Sequence, residues 1–203
     1  MTRFLRCGRE AVLAEVDDLD AALALYAALR EASLPGVVDL VPAARTVLIR
    51  LDPSVTSPRE IRVAVSALSV GSADPRQGAV VEIPVVYDGP DLADVAGHLG
   101  ISPADVIARH TGAAWTVAFG GFAPGFGYLT GGDFDVPRRT SPRTRIPAGS
   151  VGLAGRFSGV YPHDSPGGWQ LIGSTSATMW DLDRAEPALL VPGARVIFKA
   201  VPA

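Results

Sequence analysis

From Trp115 onward the chain is cut by glycine and proline into short apolar runs: WTVAFGGFAPGFGYLTGG, VPRRTSPRTRIPAGSVGLAG, VYPHDSPGGWQLIGST and ALLVPGARVIFKAV. Glycine loses the most backbone entropy when fixed in a helix, and proline breaks the helical ladder. Short strands joined by tight turns are the conformations left, and the absence of helix-length periodicity predicts a β-barrel or sandwich. The chain is 48% hydrophobic and 19% charged, a balance that supports a packed core and argues against extended disorder.

The first half has a different texture. Residues 11–16 (AVLAEV) read as a strand, and Leu19, Ala22, Leu23, Tyr26 and Leu29 recur at helical spacing over 19–32 behind the capping candidates Asp17 and Asp18. Pro35 and Gly36 end that helix. The runs VVDLV and TVLIRL follow as strands joined by a hairpin-length link, and Ser57-Pro58-Arg59-Glu60 has the form of a capping box opening a second helix. The run VVEIPVV over 80–86 is expected to close the unit, with 71–78 (GSADPRQG) as a loop inside it. The order β-α-β-β-α-β is that of ferredoxin-like folds. The expected class is therefore α+β, with a ferredoxin-like domain over 1–88 and a β-rich domain over 89–203 that begins with a short helix pair at 91–112.

Several functions are disfavoured by what the 203 residues contain. A formal net charge of −3 offers no electrostatic footprint for nucleic acid or an anionic membrane. The helix pair at 91–112 has the outline of a helix-turn-helix, but Ala104, Asp105, Val106, Ile107 and Ala108 are poor groove readers. His98 and His110 read as helix-surface or helix-end residues, with no third ligand spaced to make a metal site, so no metal is expected. Cys7, read as a small residue on an early strand, is the only cysteine and fits a reducing, cytoplasmic setting. No uninterrupted apolar run approaches the ~20 residues of a membrane helix, and the chain holds no G-x-x-x-x-G-K-[ST] phosphate loop.

The chemistry-bearing segment lies between Val136 and His163, which holds Arg138, Arg139, Arg143, Arg145 and Arg156 and no acidic residue. Pro137, Pro142 and Pro147 stiffen it. Arginine forks suit carboxylate and phosphate, although a solvated basic surface would look the same. Glycine-dense turns flank the cluster at Gly120–Gly127, Gly149–Gly152 and Pro166–Trp169, where backbone amides can approach an anion or merely turn a β corner. Phe126, Tyr128, Tyr161 and Trp169 are candidate pocket walls and equally ordinary core aromatics. Ser150 sits one residue short of a G-x-S-x-G elbow, but no helix pattern follows it and His163 is the only downstream histidine, which counts against a serine hydrolase.

Four ordered blocks are similar to those of a known family: Gly121-Phe122-Ala123-Pro124-Gly125-Phe126 with Tyr128-Leu129, Pro137-Arg138-Arg139 with Pro142-Arg143, Ile146 to Gly152, and Tyr161-Pro162 with Ser165 to Gly173. They resemble the 5-oxoprolinase B-subunit family, also described as allophanate hydrolase subunit 1 or KipI-like. The resemblance implies a small N-terminal α/β domain followed by a cyclophilin-like β-barrel. It implies partnership with a homologous cyclophilin-like C-subunit (allophanate hydrolase subunit 2, KipA-like) and a LamB/YcsF-like A-subunit. Together they would open the lactam of 5-oxoproline to glutamate at the expense of ATP, bound with Mg by the assembled complex and not by this chain alone. Family members also include a regulatory kinase inhibitor and allophanate hydrolase or urea carboxylase-like components, and these remain open.

Under that resemblance Arg138 and Arg143 are the expected anion clamps, Gly149, Ser150, Gly167 and Gly168 the amide donors, and Tyr161 and Gln170 the positioning groups. Pro124, Gly125, Phe126 and Trp169 are expected to line the pocket. No residue is assigned as the catalytic base.

Overall fold

The computed structural model describes residues 2–71 and 79–202, so most of the expected loop at 71–78 lies outside the described residues. One compact unit precedes that segment and another follows it.

In the first unit β1 (Arg3–Arg6), β2 (Ala11–Glu15), β3 (Val37–Pro42) and β4 (Thr46–Leu51) form a four-stranded antiparallel sheet in the order β1-β2-β4-β3. Alternation along β2 and β4 turns Val12, Ala14, Val47, Ile49 and Leu51 to one face. Onto that face pack Leu25 and Leu29 of α1 (Leu19–Ala32) and Ile61 and Val65 of α2 (Pro58–Ser66). Each such fully buried aliphatic side chain stabilises the fold by roughly 1.5–3 kcal/mol over exposure. Asp18 caps α1 by accepting from the Ala21 amide at 2.8 Å, and Ser57 and Glu60 close the expected capping box at α2.

The strand expected to complete this unit is elsewhere. β5 (Val80–Val85) pairs in parallel with β13 (Arg195–Ala200) in the second unit. The sheet edge beside β2 is filled instead by β1, so the expected domain boundary at 88/89 moves to before residue 79. The physical reason is competition for partners: β13 offers β5 a six-residue register with Ile83 and Val85 fully buried, a gain that a single sequence read locally does not show. Cys7 lies just beyond β1 and is exposed.

The second unit continues with α3 (Leu92–Leu99), α4 (Pro103–Gly112), β6 (Trp115–Gly120), β7 (Gly127–Thr130), β8 (Arg143–Ile146), β9 (Ser150–Ala154), β10 (Phe157–Val160), β11 (Ser165–Gly167) and β12 (Gln170–Ser174). Seven strands form one sheet in the order β12-β9-β10-β7-β6-β13-β5, and β11 with β8 forms a two-stranded ribbon. Val86 and Ser174 exchange backbone hydrogen bonds of 2.9 and 2.8 Å, bringing the two ends of the large sheet together into a nearly closed barrel. The architecture is α+β, with the β-rich second half that the glycine and proline punctuation predicts.

Side-chain alternation gives the barrel wall two packed faces. Val151, Leu153 and Val160 join the interior core with Ile83, Trp115, Leu129 and Phe198. Phe126, Ile146, Tyr161, Trp169 and Leu171 form a separate cluster. His110 lies in the last turn of α4, a helix end as expected, but faces the interior and is fully buried, whereas His98 is exposed. Its Nδ1 lies 2.7 Å from Tyr87 Oη and its Nε2 2.9 Å from Ser158 Oγ, which satisfies both ring nitrogens. Burial pushes the imidazole down to about 3.

Candidate functional site

The arginine-rich segment draws its negative charge from outside itself. Asp91 precedes α3 but makes no side-chain cap bond; its carboxylate turns toward the arginines instead. It accepts from Arg143 Nη1 and Nη2 at 2.8 Å each, from Arg139 Nη1 at 2.9 Å and from the Leu171 amide at 2.7 Å. Burial works to raise the Asp91 carboxyl, but the Arg143 fork, the Leu171 amide and the two cationic charges outweigh it and hold the group below its ordinary value. One carboxylate shared by two guanidinium groups leaves the cluster with a net positive charge. Arg145 pairs with Asp164 through Nε at 2.7 Å and Nη2 at 2.6 Å, and the Ala148 amide donates to the same carboxylate at 2.9 Å.

Arg138 differs from these. It is exposed, has no acidic partner among the described residues, and stands at a cleft of about 70 Å³. The walls of the cleft are aromatic. The Phe126 ring meets Tyr128, Tyr161 and Trp169 edge to face, at centroid separations of 5.0, 5.4 and 5.3 Å. Each such contact contributes about 0.5–1.5 kcal/mol beyond burial, so the wall is rigid. Gly167 is required there: a Cβ would stand 2.5 Å from Tyr161 Oη and 2.8 Å from Ile146 Cδ1. Burial raises the Tyr161 and Tyr128 phenols above their ordinary value, against the opposing pull of the Arg138 charge. Both phenols therefore stay protonated near neutrality, with a hydroxyl hydrogen available for donation.

Of the residues singled out in the sequence, Arg138, Tyr128, Tyr161, Gly167, Gly168, Phe126 and Trp169 converge on this cleft. The others do not. Arg143 has its fork occupied by Asp91. The Gly149 amide donates to the Tyr161 carbonyl at 2.8 Å and the Ser150 amide to the Pro147 carbonyl at 3.2 Å, so neither is offered to a ligand. Gly149 has φ +80°, which explains its glycine by backbone conformation. Gln170 donates from Nε2 to the Pro137 carbonyl at 3.3 Å. Pro124 is exposed outside the cleft, and Gly125 packs against Met179 and Trp180. His163 Nδ1 lies 3.1 Å from Ser165 Oγ, not at Ser150, and Ser150 begins a strand, so the elbow arrangement is absent from these residues.

Asp91 and Phe122 are the site residues that sequence reasoning misses. An acid-free arginine run demands an acid from elsewhere, and that demand is the available signal for Asp91. Phe122 stands in the first of the four blocks, but its residue type there does not single it out from Phe126. A larger concavity of about 540 Å³ lies in the first unit between α1 and β3, but its cation Arg30 is stacked over Tyr26 of its own helix. The smaller cleft, with its unpaired cation and donor phenols, is the better candidate. Among the described residues no group of three or more His, Cys, Asp or Glu side chains could hold a metal, and no helix is long and apolar enough to cross a membrane.

The family model for the carboxyltransferase domain, subdomain C and D, matches residues 2–190. The 5-oxoprolinase B-subunit of Escherichia coli O157:H7 is 42% identical over 178 residues, covering 84% of this chain and 81% of its own. The chain belongs to the 5-oxoprolinase B-subunit family. The family's Bacillus subtilis (strain 168) protein is 36% identical over 213 residues, covering 96% of this chain and 87% of its own. Among solved structures, TTHA0988 superposes with a TM-score of 0.78 at 36% identity; the match takes in 96% of this chain but only 40% of that one. The urea amidolyase of Kluyveromyces lactis superposes with a TM-score of 0.81 over 98% of this chain and 15% of its own, at 21% identity, a likeness of fold alone.

Proposed function

We propose that the aromatic cleft holds the substrate of an ATP-dependent 5-oxoprolinase, in which this chain is a non-autonomous component working with the C- and A-subunits. The observation that carries the reading is Arg138: an arginine with no acidic partner among the described residues, at the mouth of a cleft walled by protonated tyrosines, in a chain whose relatives are named as the B-subunit of 5-oxoprolinase. At ~10–15 Å³ per water, 70 Å³ is room for about five waters, on the scale of a five-membered ring.

The chemistry follows from these groups. Arg138 takes the substrate carboxylate, and the buried Tyr161 hydroxyl donates to the lactam oxygen, polarising a carbonyl that is otherwise a poor electrophile. Asp91, Arg139 and Arg143 fix the neighbouring loops and keep the local field positive. Among the described residues no carboxylate lines the cleft, and the base that activates water is assigned to a partner. A nucleotide does not fit a cleft of this size, and ATP with its Mg is a substrate of the assembled complex bound outside it.

The test is reconstitution. The purified chain should show negligible 5-oxoproline-dependent ATP hydrolysis, and glutamate should appear only when the C- and A-subunits are added. Full turnover by the isolated chain would refute non-autonomy. Binding of both partners without glutamate formation would overturn the substrate.

A further inference from the structure

Phe122 is 58% exposed and has a φ of +67°, the left-handed region that a bulky side chain avoids. The conformation is imposed by the turn around it. The Gly121 amide donates to the Phe126 carbonyl at 3.2 Å, the Phe126 amide to the Ala123 carbonyl at 3.0 Å, and Gly125 at φ +84° is packed against Met179 and Trp180. A glycine at 122 would meet the same turn without strain. The ring gains little burial in return, touching Phe126 and Tyr161 only edge to face at 5.3 and 6.0 Å. An unfavourable backbone conformation combined with an exposed aromatic ring is explained by what the ring does outside the fold. Phe122 lines the same cleft as Arg138.

We infer that Phe122 is a ligand-binding residue, and that the cleft selects a small flat ring carrying a carboxylate: the carboxylate on Arg138, the ring face against Phe122. This rests on the reading of the cleft as a substrate site and adds its selectivity. A cyclic amide is flat at its amide atoms and lies against an aromatic face. A saturated ring of the same size is puckered and does not.

The test is an NMR titration of the full chain with 5-oxoproline and, separately, proline, alongside thermal melts. Wild type should bind 5-oxoproline at least ~10-fold more tightly than proline, through the Phe122 face together with the Tyr161 bond to the lactam oxygen. Phe122→Gly should narrow that preference by about 2- to 10-fold, the Tyr161 bond to the lactam oxygen keeping the rest, while leaving the melting temperature unchanged or raising it by ~1–3 °C, because strain is relieved. Arg138→Ala should weaken both ligands. If Arg138→Ala loses binding and Phe122→Gly retains the preference undiminished, the inference falls and the cleft stands. A Phe122→Gly melting temperature lowered by more than ~3 °C makes Phe122 structural and overturns the inference. Absence of saturable binding by wild type, or wild-type binding by Arg138→Ala, removes the cleft reading and the inference with it.

Discussion

Replacing Asp91 by asparagine should destabilise the protein far more than an ordinary helix-start substitution. The carboxylate receives four hydrogen bonds, three of them from guanidinium groups. An amide supplies one acceptor oxygen and turns an NH₂ group toward a cation. Removing one partner of a fully buried ion pair costs about 3–5 kcal/mol. The side chains of Arg139 and Arg143 retain 32% and 24% exposure, so part of their hydration is recovered, and the expected loss is about 2–4 kcal/mol. For a chain of this size that is a fall of roughly 5–12 °C in melting temperature. Calorimetry on wild type, Asp91→Asn, and the double variant Asp91→Leu with Arg143→Met measures it. The double variant should fall less than the asparagine variant, because it leaves fewer stranded charges. A fall of under ~2 °C for Asp91→Asn would show that the pairing is peripheral and would refute the reasoning.

Acid should weaken the fold through His110. Its folded value of about 3 lies below the ordinary 6.5, so the unfolded chain binds a proton that the folded chain refuses, and stability falls as pH drops from about 6.5 toward 3. At pH 5 the loss is about 2 kcal/mol, and urea melts of His110→Asn should show a correspondingly flatter pH dependence; equal slopes would contradict the assignment. Asp91, held below its ordinary 3.8, adds a further loss as pH falls from about 3.8 toward its lower folded value. Gly167→Ala should press on Tyr161 and close the cleft, giving at least ~10-fold weaker 5-oxoproline binding; unchanged affinity would show that the Tyr161 hydroxyl can move freely.

Local signals are legible in this chain and long-range choices are not. The Ser57–Glu60 capping box and the Asp18 cap can be read from neighbours three residues apart, and both form as written. Punctuation after Trp115 announces the β character of the second unit. The strand at Val80–Val85 is visible as a strand, but its partner β13 lies more than a hundred residues away, and local order points to the wrong sheet. The same distance hides the site's wiring. Arg143 looks free because its partner Asp91 lies 52 residues earlier, at the start of the helix pair. Gly149 and Ser150 look like amide donors because nothing in sequence shows that Tyr161 and Pro147 accept those hydrogens. Arg138, Tyr161 and Gly167, which line one cleft, can be singled out in the sequence because the blocks containing them carry residue types suited to a small anion site.

Arg138 and Arg143 should now part company. Arg143→Ala removes two of the four hydrogen bonds to Asp91 and should lower stability together with function, whereas Arg138→Ala breaks no ion pair and should leave the melting temperature within ~1 °C of wild type. The most direct measurement is kcat/KM for 5-oxoproline in the complex assembled from the C- and A-subunits with wild-type or Arg138→Ala chain. Loss of one charge-assisted bond of ~1.5–3 kcal/mol predicts a fall of about 10- to 150-fold, with assembly and thermal stability retained. Wild-type kcat/KM in the Arg138→Ala complex would contradict the account and move the substrate away from this cleft.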